Sequence, residues 1–301
     1  MSLPDPAVWP KITVVTPSYN QAQYLEQTML SVLGQGYPHL EYIVMDGGST
    51  DGSVEIIQRF SSQLAYWTSA KDRGQSDAIN QGMARATGDI VCWLNSDDYF
   101  LPGTLFHIAR QLSPHLPKPA LVYGSCLFFR ESDGAVRILK ARPYDDALFR
   151  ETHFIYQPSA FWTRAMWEKA GPLDTSMHYA FDWEWFLRAA THGELFHTPQ
   201  MLSAYRRHAQ HKSGTGGESR RQEMLEVVKR YGSNEQIQMY AEAAHLQDAY
   251  EKRNRTLRFL KTSHIPFAGY LAQLASPALW FLPAPLNRER LTRCMGMLSA
   301  S

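Results

Sequence analysis

The first hundred residues alternate short apolar runs with stretches in which apolar residues recur at helical spacing. The apolar runs predict four strands, over residues 12–16, 42–45, 64–68 and 90–94. The helical spacing between them predicts three helices, over residues 23–33, 54–60 and 76–86. Strands that alternate with helices in this way are typical of βαβ units, so we predict an α/β fold with a mixed, mainly parallel central sheet flanked by helices.

The pattern changes between residues 120 and 217. Shorter segments there predict a hairpin around residues 132–134 and helices near 163–170 and 181–192, and Pro102 suits the first turn of an earlier helix. Residues 220–260 predict one or two charged helices. We therefore predict one large domain over residues 1–217, with halves at about 11–103 and 104–217, and a helical extension over residues 218–301.

The tail carries no charged residue between positions 265 and 287. Such a stretch is long enough to cross a bilayer, but four prolines interrupt the regular helix that hydrocarbon demands. Two interpretations stay open. The tail lies on a membrane surface beside the basic cluster at 252–261, giving a peripheral membrane contact, or it packs on the domain as an apolar strap.

The charge balance and the cysteine content of the chain argue against several classes of function. The 30 Lys and Arg residues nearly balance the 29 Asp and Glu residues, so the chain lacks the basic excess of a nucleic-acid-binding protein. The three cysteines show no C-x-x-C spacing, which argues against a disulfide framework or a thiolate zinc site and favours a reducing compartment. The first ten residues lack the features of a signal peptide. We expect a cytoplasmic protein that works in solution or at the inner face of the cytoplasmic membrane.

Polar clusters follow the four predicted strands: PSYN at 17–20, DGGSTD at 46–51, KDRGQSD at 71–77 and NSDD at 95–98. Ligands of open α/β sheets bind beyond the carboxyl ends of the strands, so we expect the binding site there. The chain has neither a G-x-G-x-x-G motif nor a P-loop, which argues against the usual phosphate cradles. Adjacent Asp97 and Asp98 instead favour a hard divalent cation, Mg²⁺ or Mn²⁺, with a simple helix cap as the alternative.

Four strings of residues carry a resemblance to a known family. VVTPSYNQAQYLEQTMLSVLGQGYPHLEYIVMDGGSTDGS at 14–53 and KDRGQSDAINQGMARATGDIVCWLNSDDYFLPG at 71–103 strongly resemble the family-2 glycosyltransferases with the GT-A fold, as in bacterial polysaccharide synthesis. QPSAFWTRAMWEKAGPLDTSMHYAFDWEWFLRAA at 157–190 and YRRHAQHKSG at 205–214 fit the same family. The resemblance implies an inverting transferase that moves a sugar from a nucleoside-diphosphate sugar, with UDP-sugars favoured, to a glycan or lipid-linked glycan acceptor in polysaccharide, O-antigen or other surface-glycan synthesis.

The resemblance also implies roles for single residues. The first half of the domain would bind the nucleotide sugar and the second half the acceptor. The nucleotide pocket falls on Pro17, Tyr19, Asp46 and Asp72. The metal ligand falls on Asp97, with His208 near the metal or the diphosphate, and Ser96 and Asp98 flank the metal ligand, touching ribose or orienting the waters of the metal. The catalytic base falls on Asp182.

Two positions depart from the family pattern. Gly47 replaces the second carboxylate of D-D-G-S, which leaves the choice of nucleotide base open. Asn95 replaces the first Asp of D-x-D, so we expect weaker metal binding than at a full D-x-D site. From the residues alone, Asp182 is also a good first-turn residue of a helix, and Trp183 and Trp185 either stack on an acceptor sugar or belong to the core. The rival functions are a sugar nucleotidyltransferase, whose glycine- and arginine-rich loop would replace PSYNQAQY, and a non-catalytic protein that binds carbohydrate or nucleotide.

Overall fold

The structure is a computed structural model that describes residues 9–212, 216–247, 256, 290, 293–295 and 297. The chain divides into two compact units. The first comprises Met1–Asp145 and Phe154–Ala209, and the second comprises Asp146–His153 and Gln210–Ser301. Within the described residues, no helix combines the length and the apolar character that crossing a bilayer requires.

Four parallel strands form the amino-terminal half of the first unit: β1 Ile12–Ser18, β2 Leu40–Asp46, β3 Tyr66–Ser69 and β4 Ile90–Trp93. They pair in the order β3–β2–β1–β4 and alternate in sequence with α1 Ala22–Leu33, α2 Ser53–Phe60 and α3 Gln75–Met83. Every residue of β1 is buried, because the strand lies inside the sheet and both of its faces are covered. The predicted α/β fold with its βαβ units is confirmed, and the carboxyl ends of four strands meet at one edge.

The rest of the first unit widens this sheet with mostly antiparallel strands. They are β5 Tyr99–Phe100, β6 Ala120–Arg130, β7 Ala135–Leu139, β8 Ala160–Thr163 and β9 Glu194–Arg207. β8 pairs antiparallel with β4 and β6, β9 runs parallel to β6 and antiparallel to β5, and β7 forms the predicted hairpin with β6. The helices here are α4 Thr104–Leu112, α6 Arg164–Ala170 and α7 Phe181–Ala189; α5 Asp146–Glu151 lies between them in sequence and belongs to the second unit.

Four predicted boundaries are wrong for local reasons. The helix predicted over 76–86 ends at Met83, because the N–H groups of Arg85 and Ala86 bond only three residues back, in a tighter turn. β3 starts at Tyr66 instead of residue 64, because residues 61–63 form a 3₁₀ turn after α2. α4 starts at Thr104 and excludes Pro102, because Gly103 takes a left-handed backbone conformation with φ +80°. The helix predicted over 181–192 ends at Ala189, ahead of Gly193, where any Cβ would lie 2.3 Å from a backbone oxygen.

Aromatic side chains form the core between β4, β8 and α7. Trp93 and Trp162 pack edge-to-face with ring centroids 5.1 Å apart, and the Trp185 ring lies 4.6 Å from that of Trp162. Trp183 and Trp185 are both fully buried. Stacking of these two side chains on an acceptor sugar is therefore wrong, and their core role is confirmed.

The described part of the second unit is helical. It contains α5, α8 Gly217–Tyr231 and α9 Asn234–His245, so the predicted segment does hold two helices. The hydroxyl of Tyr240 donates to the backbone oxygen of Glu151 at 2.5 Å, which joins α9 to α5. The buried Glu151 carboxylate pairs with Arg290 at 2.9 Å. The uncharged stretch at 265–287 lies outside the described residues.

Candidate active site

The loops that follow β1 and β2 are joined by hydrogen bonds. Asn20 Oδ1 accepts from the backbone N–H of Thr50 at 2.9 Å, and the N–H of Asn20 donates to Ser49 Oγ at 2.8 Å. Asn20 has a positive φ of 51°, which its short polar side chain tolerates better than most. A third bond runs from the N–H of Ala22 to Asp51 Oδ2 at 2.9 Å. These contacts hold PSYN and DGGSTD side by side at the edge of the sheet.

Asp46 ends β2 and shapes the loop that follows. Its buried carboxylate accepts from the N–H groups of Gly48 and Ser49, at 3.1 and 2.9 Å, and from Ser69 Oγ of β3 at 2.6 Å. The carboxylate thus ties the end of β2 to the end of β3. A direct contact between Asp46 and a nucleotide stays a prediction.

Tyr19, Gly47 and Asp72 lie against one another at the same edge. A Cβ added at Gly47 would lie 2.8 Å from Asp72 Oδ2 and 3.3 Å from Tyr19 Cδ2. Burial raises the pKa of Asp72, nearby Asp77 and Asp46 add to the rise, and a bond from the Gly74 N–H opposes it. The Asp72 carboxylate therefore occupies the side of Gly47 where the family pattern has a second carboxylate. Tyr19 is 63% exposed and available to a ligand.

Pro17 is the penultimate residue of β1 and pairs with Met45 of the parallel strand β2. Its burial gives the backbone of the PSYN segment a fixed start.

Asp97 and His208 come together from distant parts of the chain. His208 Nε2 lies 3.1 Å from Asp97 Oδ2, and the side chains are 3% and 15% exposed, respectively. Asp97 follows β4, and His208 follows β9 directly. The imidazole also packs on the Tyr24 ring of α1, with centroids 4.5 Å apart. The structure therefore pairs the two residues that the resemblance assigned to the metal.

Ser96 and Asp98 point into the protein on either side of Asp97. Thr28 of α1 donates its hydroxyl to the backbone oxygens of Ser96 and Asp98, at 2.9 and 2.6 Å. Asp98 is 1% exposed; its Oδ1 accepts from the N–H of Arg206, and its Oδ2 lacks a hydrogen-bond partner in the described structure. Burial and the charge of Asp97 raise the pKa of Asp98 well above its ordinary value. These contacts fix the strand end, while a donor-binding role for either residue stays a prediction.

Arg206 supports the Asp97–His208 pair. Its Nε donates to the backbone oxygen of Asp97 at 3.0 Å, and its guanidinium pairs with Glu131 at 3.1 Å and lies 4.7 Å from the ring centroid of Tyr24. Glu131 accepts from the Tyr24 hydroxyl at 2.9 Å, and burial together with this contact raises the pKa of Tyr24 to about 12. Arg206, the residue before the last of β9, thus uses its guanidinium to pair with an acidic side chain.

Asn95, the first residue of NSDD, forms hydrogen bonds through both the oxygen and the nitrogen of its side-chain amide. Its oxygen accepts from Gln75 of α3, and its nitrogen donates to Gln157, which in turn donates to the backbone oxygen of Trp93. Sequence reasoning did not single out either glutamine. Their presence inside the KDRGQSD and QPSAFW strings was the one available signal.

Asp182 is the second residue of α7 and is partly exposed. Its neighbour Phe181 packs 6.3 Å, centroid to centroid, from Trp93, the last residue of β4, which brings the start of α7 to the same strand end as NSDD. Glu184 is buried and engaged with Arg188 at 2.9 Å. Between the two acidic residues of α7, Asp182 is thus the more available proton acceptor.

The loop between α6 and α7 is fixed on α3. Asn80 accepts from the N–H of Leu173 and donates to its backbone oxygen, both at 2.9 Å, as in a short piece of sheet. Arg188 donates to the backbone oxygens of Ala170 and Pro172. The chain segment before Asp182 is therefore held in place by hydrogen bonds to α3 and α7.

The donor set at Asp97 and His208 suits a divalent cation only in part. A search of the described residues finds no cluster of three or more His, Cys, Asp or Glu side chains able to hold a metal ion. One carboxylate oxygen and one imidazole nitrogen, already 3.1 Å apart, are still suitable ligands. Mg²⁺ in particular is commonly held by one or two carboxylates, substrate phosphates and water. The pair therefore fits a cation that binds together with a diphosphate.

The chain is similar in sequence to known glycosyltransferases. The sequence profile described as Glycosyl transferase family 2 matches residues 13–164. An uncharacterized glycosyltransferase of Mycobacterium tuberculosis is 33% identical over 184 residues, which are 60% of this chain and 69% of the relative. A putative teichuronic acid biosynthesis glycosyltransferase of Bacillus subtilis is 39% identical over 92 residues, 30% of this chain and 36% of the relative.

Two solved structures share the fold. The mannosyltransferase PcManGT from Pyrobaculum calidifontis, in complex with GDP-Man and Mn²⁺, superposes with a TM-score of 0.64 at 22% identity. The match covers 99% of this chain and 88% of the mannosyltransferase chain. Residues 1–349 of TarS from S. aureus, in complex with UDP-GlcNAc, give a TM-score of 0.57 at 16% identity, and the match covers 96% of this chain and 89% of the TarS chain. The sheet and its flanking helices are therefore those of the GT-A glycosyltransferases.

Proposed function

Since the chain belongs to glycosyl transferase family 2, we propose that it moves a sugar from a nucleoside-diphosphate sugar to an acceptor hydroxyl, with inversion at the anomeric carbon. The observation that carries the proposal is the Asp97–His208 pair, held at the carboxyl end of β4 beside the joined loops after β1 and β2. In open α/β sheets this edge is where ligands bind.

The donor nucleotide would bind between the loops after β1, β2 and β3. Tyr19 offers an exposed ring on which a base can stack, and Asp72 offers a carboxylate that can accept an N–H of the base. Asp46 holds the loop that carries Gly47, and Pro17 fixes the segment that carries Tyr19. UDP-sugars are the first choice of donor; the two solved relatives carry UDP-GlcNAc and GDP-Man, so both bases belong in the test.

Asp97 and His208 would hold a divalent cation, Mn²⁺ or Mg²⁺, against the diphosphate. When bound, such a cation supplies positive charge that stabilises the departing diphosphate. The protein contributes the two ligands and their orientation: Arg206 fixes the backbone of Asp97, and Tyr24 fixes the ring of His208. The PcManGT complex with Mn²⁺ makes this cation a reasonable first probe.

Asp182 would act as the catalytic base. As the acceptor oxygen attacks the anomeric carbon, its proton passes to the Asp182 carboxylate, while the bond between that carbon and the phosphate oxygen breaks and its electron pair leaves with the nucleoside diphosphate. One direct displacement inverts the configuration at carbon.

The acceptor would be a glycan or a lipid-linked glycan used in building surface polysaccharide. The similarity to a putative teichuronic acid glycosyltransferase supports this class. A lipid-linked acceptor would place the enzyme at the inner membrane face, where the basic cluster at 252–261 and the apolar stretch at 265–287 would give a peripheral contact.

The test is release of nucleoside diphosphate from UDP-, GDP- and dTDP-sugars with Mn²⁺, Mg²⁺ or EDTA, because slow hydrolysis without an acceptor identifies the donor. We expect metal-dependent release from one donor, with the release lost in Asp97→Ala. Failure to release or bind any of the donors would contradict the proposal and favour a non-catalytic carbohydrate-binding role on the same fold.

A further inference from the structure

Three amide side chains connect α3 to the strand end that carries Asp97. Gln75 Nε2 donates to Asn95 Oδ1 at 2.7 Å, and Asn95 Nδ2 donates to Gln157 Oε1 at 3.2 Å. Gln157 Nε2 then donates to the backbone oxygen of Trp93 at 2.8 Å. Gln75 begins α3, Asn95 follows β4, and Gln157 precedes β8, so this amide chain joins three segments that are distant in sequence.

The backbone oxygen of Trp93 fixes the direction of the amide chain. A carbonyl oxygen only accepts hydrogen bonds, so Gln157 must turn its NH₂ group toward Trp93 and its oxygen toward Asn95. The side chain at position 95 must therefore donate to Gln157 and accept from Gln75, and an asparagine does both. An ionised aspartate only accepts, so with Asp at this position two acceptors would meet, whichever way Gln157 is turned.

The amide chain bears directly on the position of Asp97. Residues 95–98 form one tight turn, in which the N–H of Asp98 donates to the backbone oxygen of Asn95 at 3.1 Å. Gln157 is buried, and its bond to Trp93 is buried as well, so water cannot easily replace these contacts. A shift of Asn95 would be passed on to Asp97 two residues later.

We infer that Asn95 is a positioning residue, not a weakened metal ligand, and that Gln75 and Gln157 hold the metal-binding turn in place through its amide. The inference rests on the proposed function, because it takes Asp97 to be a metal ligand. It also accounts for the departure from D-x-D: the surrounding amides require Asn at this position.

The test compares Gln157→Met, Asn95→Asp and the double variant with the wild type. Mn²⁺ affinity is measured directly, from the EPR signal of the free ion in the presence of UDP, GDP or dTDP, and the unfolding equilibrium is measured in urea. We expect Gln157→Met, which changes no charge, to weaken Mn²⁺ binding about 5- to 150-fold, the range that follows from leaving a buried amide unpaired. Asn95→Asp adds a charge beside Asp97 and Asp98 in both backgrounds, so we expect it to shift the unfolding equilibrium in both, and by at least about fivefold more in the wild type than when Gln157 is already Met.

Controls separate the possible failures. Gln58→Met makes the same chemical change at an exposed position of α2 and should bind Mn²⁺ as the wild type does. Gln75→Met breaks the other, half-exposed end of the amide chain and replaces Gln157→Met if that variant does not fold. The inference is overturned if folded Gln157→Met or Gln75→Met binds Mn²⁺ as tightly as the wild type. It is also overturned if Asn95→Asp has the same effect in both backgrounds. Either result leaves the proposed function standing. A wild type that binds no Mn²⁺ with any nucleotide overturns the proposed metal site and the inference with it.

Discussion

Restoring the family's second carboxylate at position 47 should weaken donor binding instead of improving it. Gly47 lies between Tyr19 and Asp72, and a Cβ there would come within 2.8 Å of Asp72 Oδ2. Gly47→Asp therefore displaces Asp72 and adds a second negative charge beside a carboxyl group whose pKa burial already raises. Gly47→Ala makes the steric change alone and is the matched control.

The distances give the expected magnitudes. Ordinary contacts to a Cβ begin at 3.4 Å, so the Asp72 carboxylate must withdraw by about 0.6 Å; because it is the end of a partly exposed side chain, the cost lies at the lower end for overpacking, about 1–1.5 kcal/mol. Two carboxylates about 4 Å apart repel by roughly 4 kcal/mol at an effective dielectric constant of 20, and by about half of that where water and salt screen them. At 1.4 kcal/mol per tenfold, the donor Kd should rise about tenfold in Gly47→Ala and about 100-fold or more in Gly47→Asp.

The assay is titration calorimetry of the identified donor at pH 5 and at pH 8. Because the added charge raises the pKa of Asp72 further, lowering the pH protonates one of the two carboxyl groups and relieves the repulsion. The gap between the Asp and Ala variants should therefore shrink toward pH 5 and widen toward pH 8. Donor binding by Gly47→Asp as tight as in the wild type would refute the proposed contact between Asp72 and the donor.

Three further predictions address the base, the metal and the second unit. Asp182→Asn should abolish sugar transfer and leave the donor Kd within about twofold, since it removes a proton acceptor without touching the donor loops; transfer at the wild-type rate would rule out the base assignment. His208→Ala should raise the Mn²⁺ concentration for half-maximal donor hydrolysis at least about tenfold, and an unchanged requirement would remove His208 as a ligand. Glu151→Ala should lower the free energy of unfolding of the second unit by about 2–4 kcal/mol, measured by calorimetry, because it leaves Arg290 without its buried partner. The partial exposure of Arg290 keeps this cost below that of a fully buried pair. An unchanged unfolding profile would contradict the role of Glu151 as an anchor.

The amino-terminal half of the fold was predictable because each βα step repeats one local pattern. β1 and β4 are buried throughout, so their sequences read as apolar runs. The second half offers no such repeat. β9 runs for 14 residues through Pro199 with uneven exposure, and its pairing with β6 shifts register near Ser125, so its period in sequence is blurred.

The candidate site was predictable only as far as the family strings reach. Asp97 and His208 are 111 residues apart, and spacing alone could not have paired them. Trp183 and Trp185 were ambiguous because a large aromatic side chain suits a core and a sugar equally well. Gln157 gave no chemical signal, since a neutral amide gains a role only from the tertiary contacts that bury it.

Under the proposed function, the hydrogen bonds between the loops after β1 and β2 affect how fast a donor would bind. Loops that are ordered in advance lose little conformational entropy when a ligand arrives, because folding has already fixed them. Association at this face should then proceed in a single kinetic phase whose rate rises linearly with donor concentration, with no plateau set by loop closure. A slower rearrangement in the catalytic cycle would have to come from segments other than these two loops.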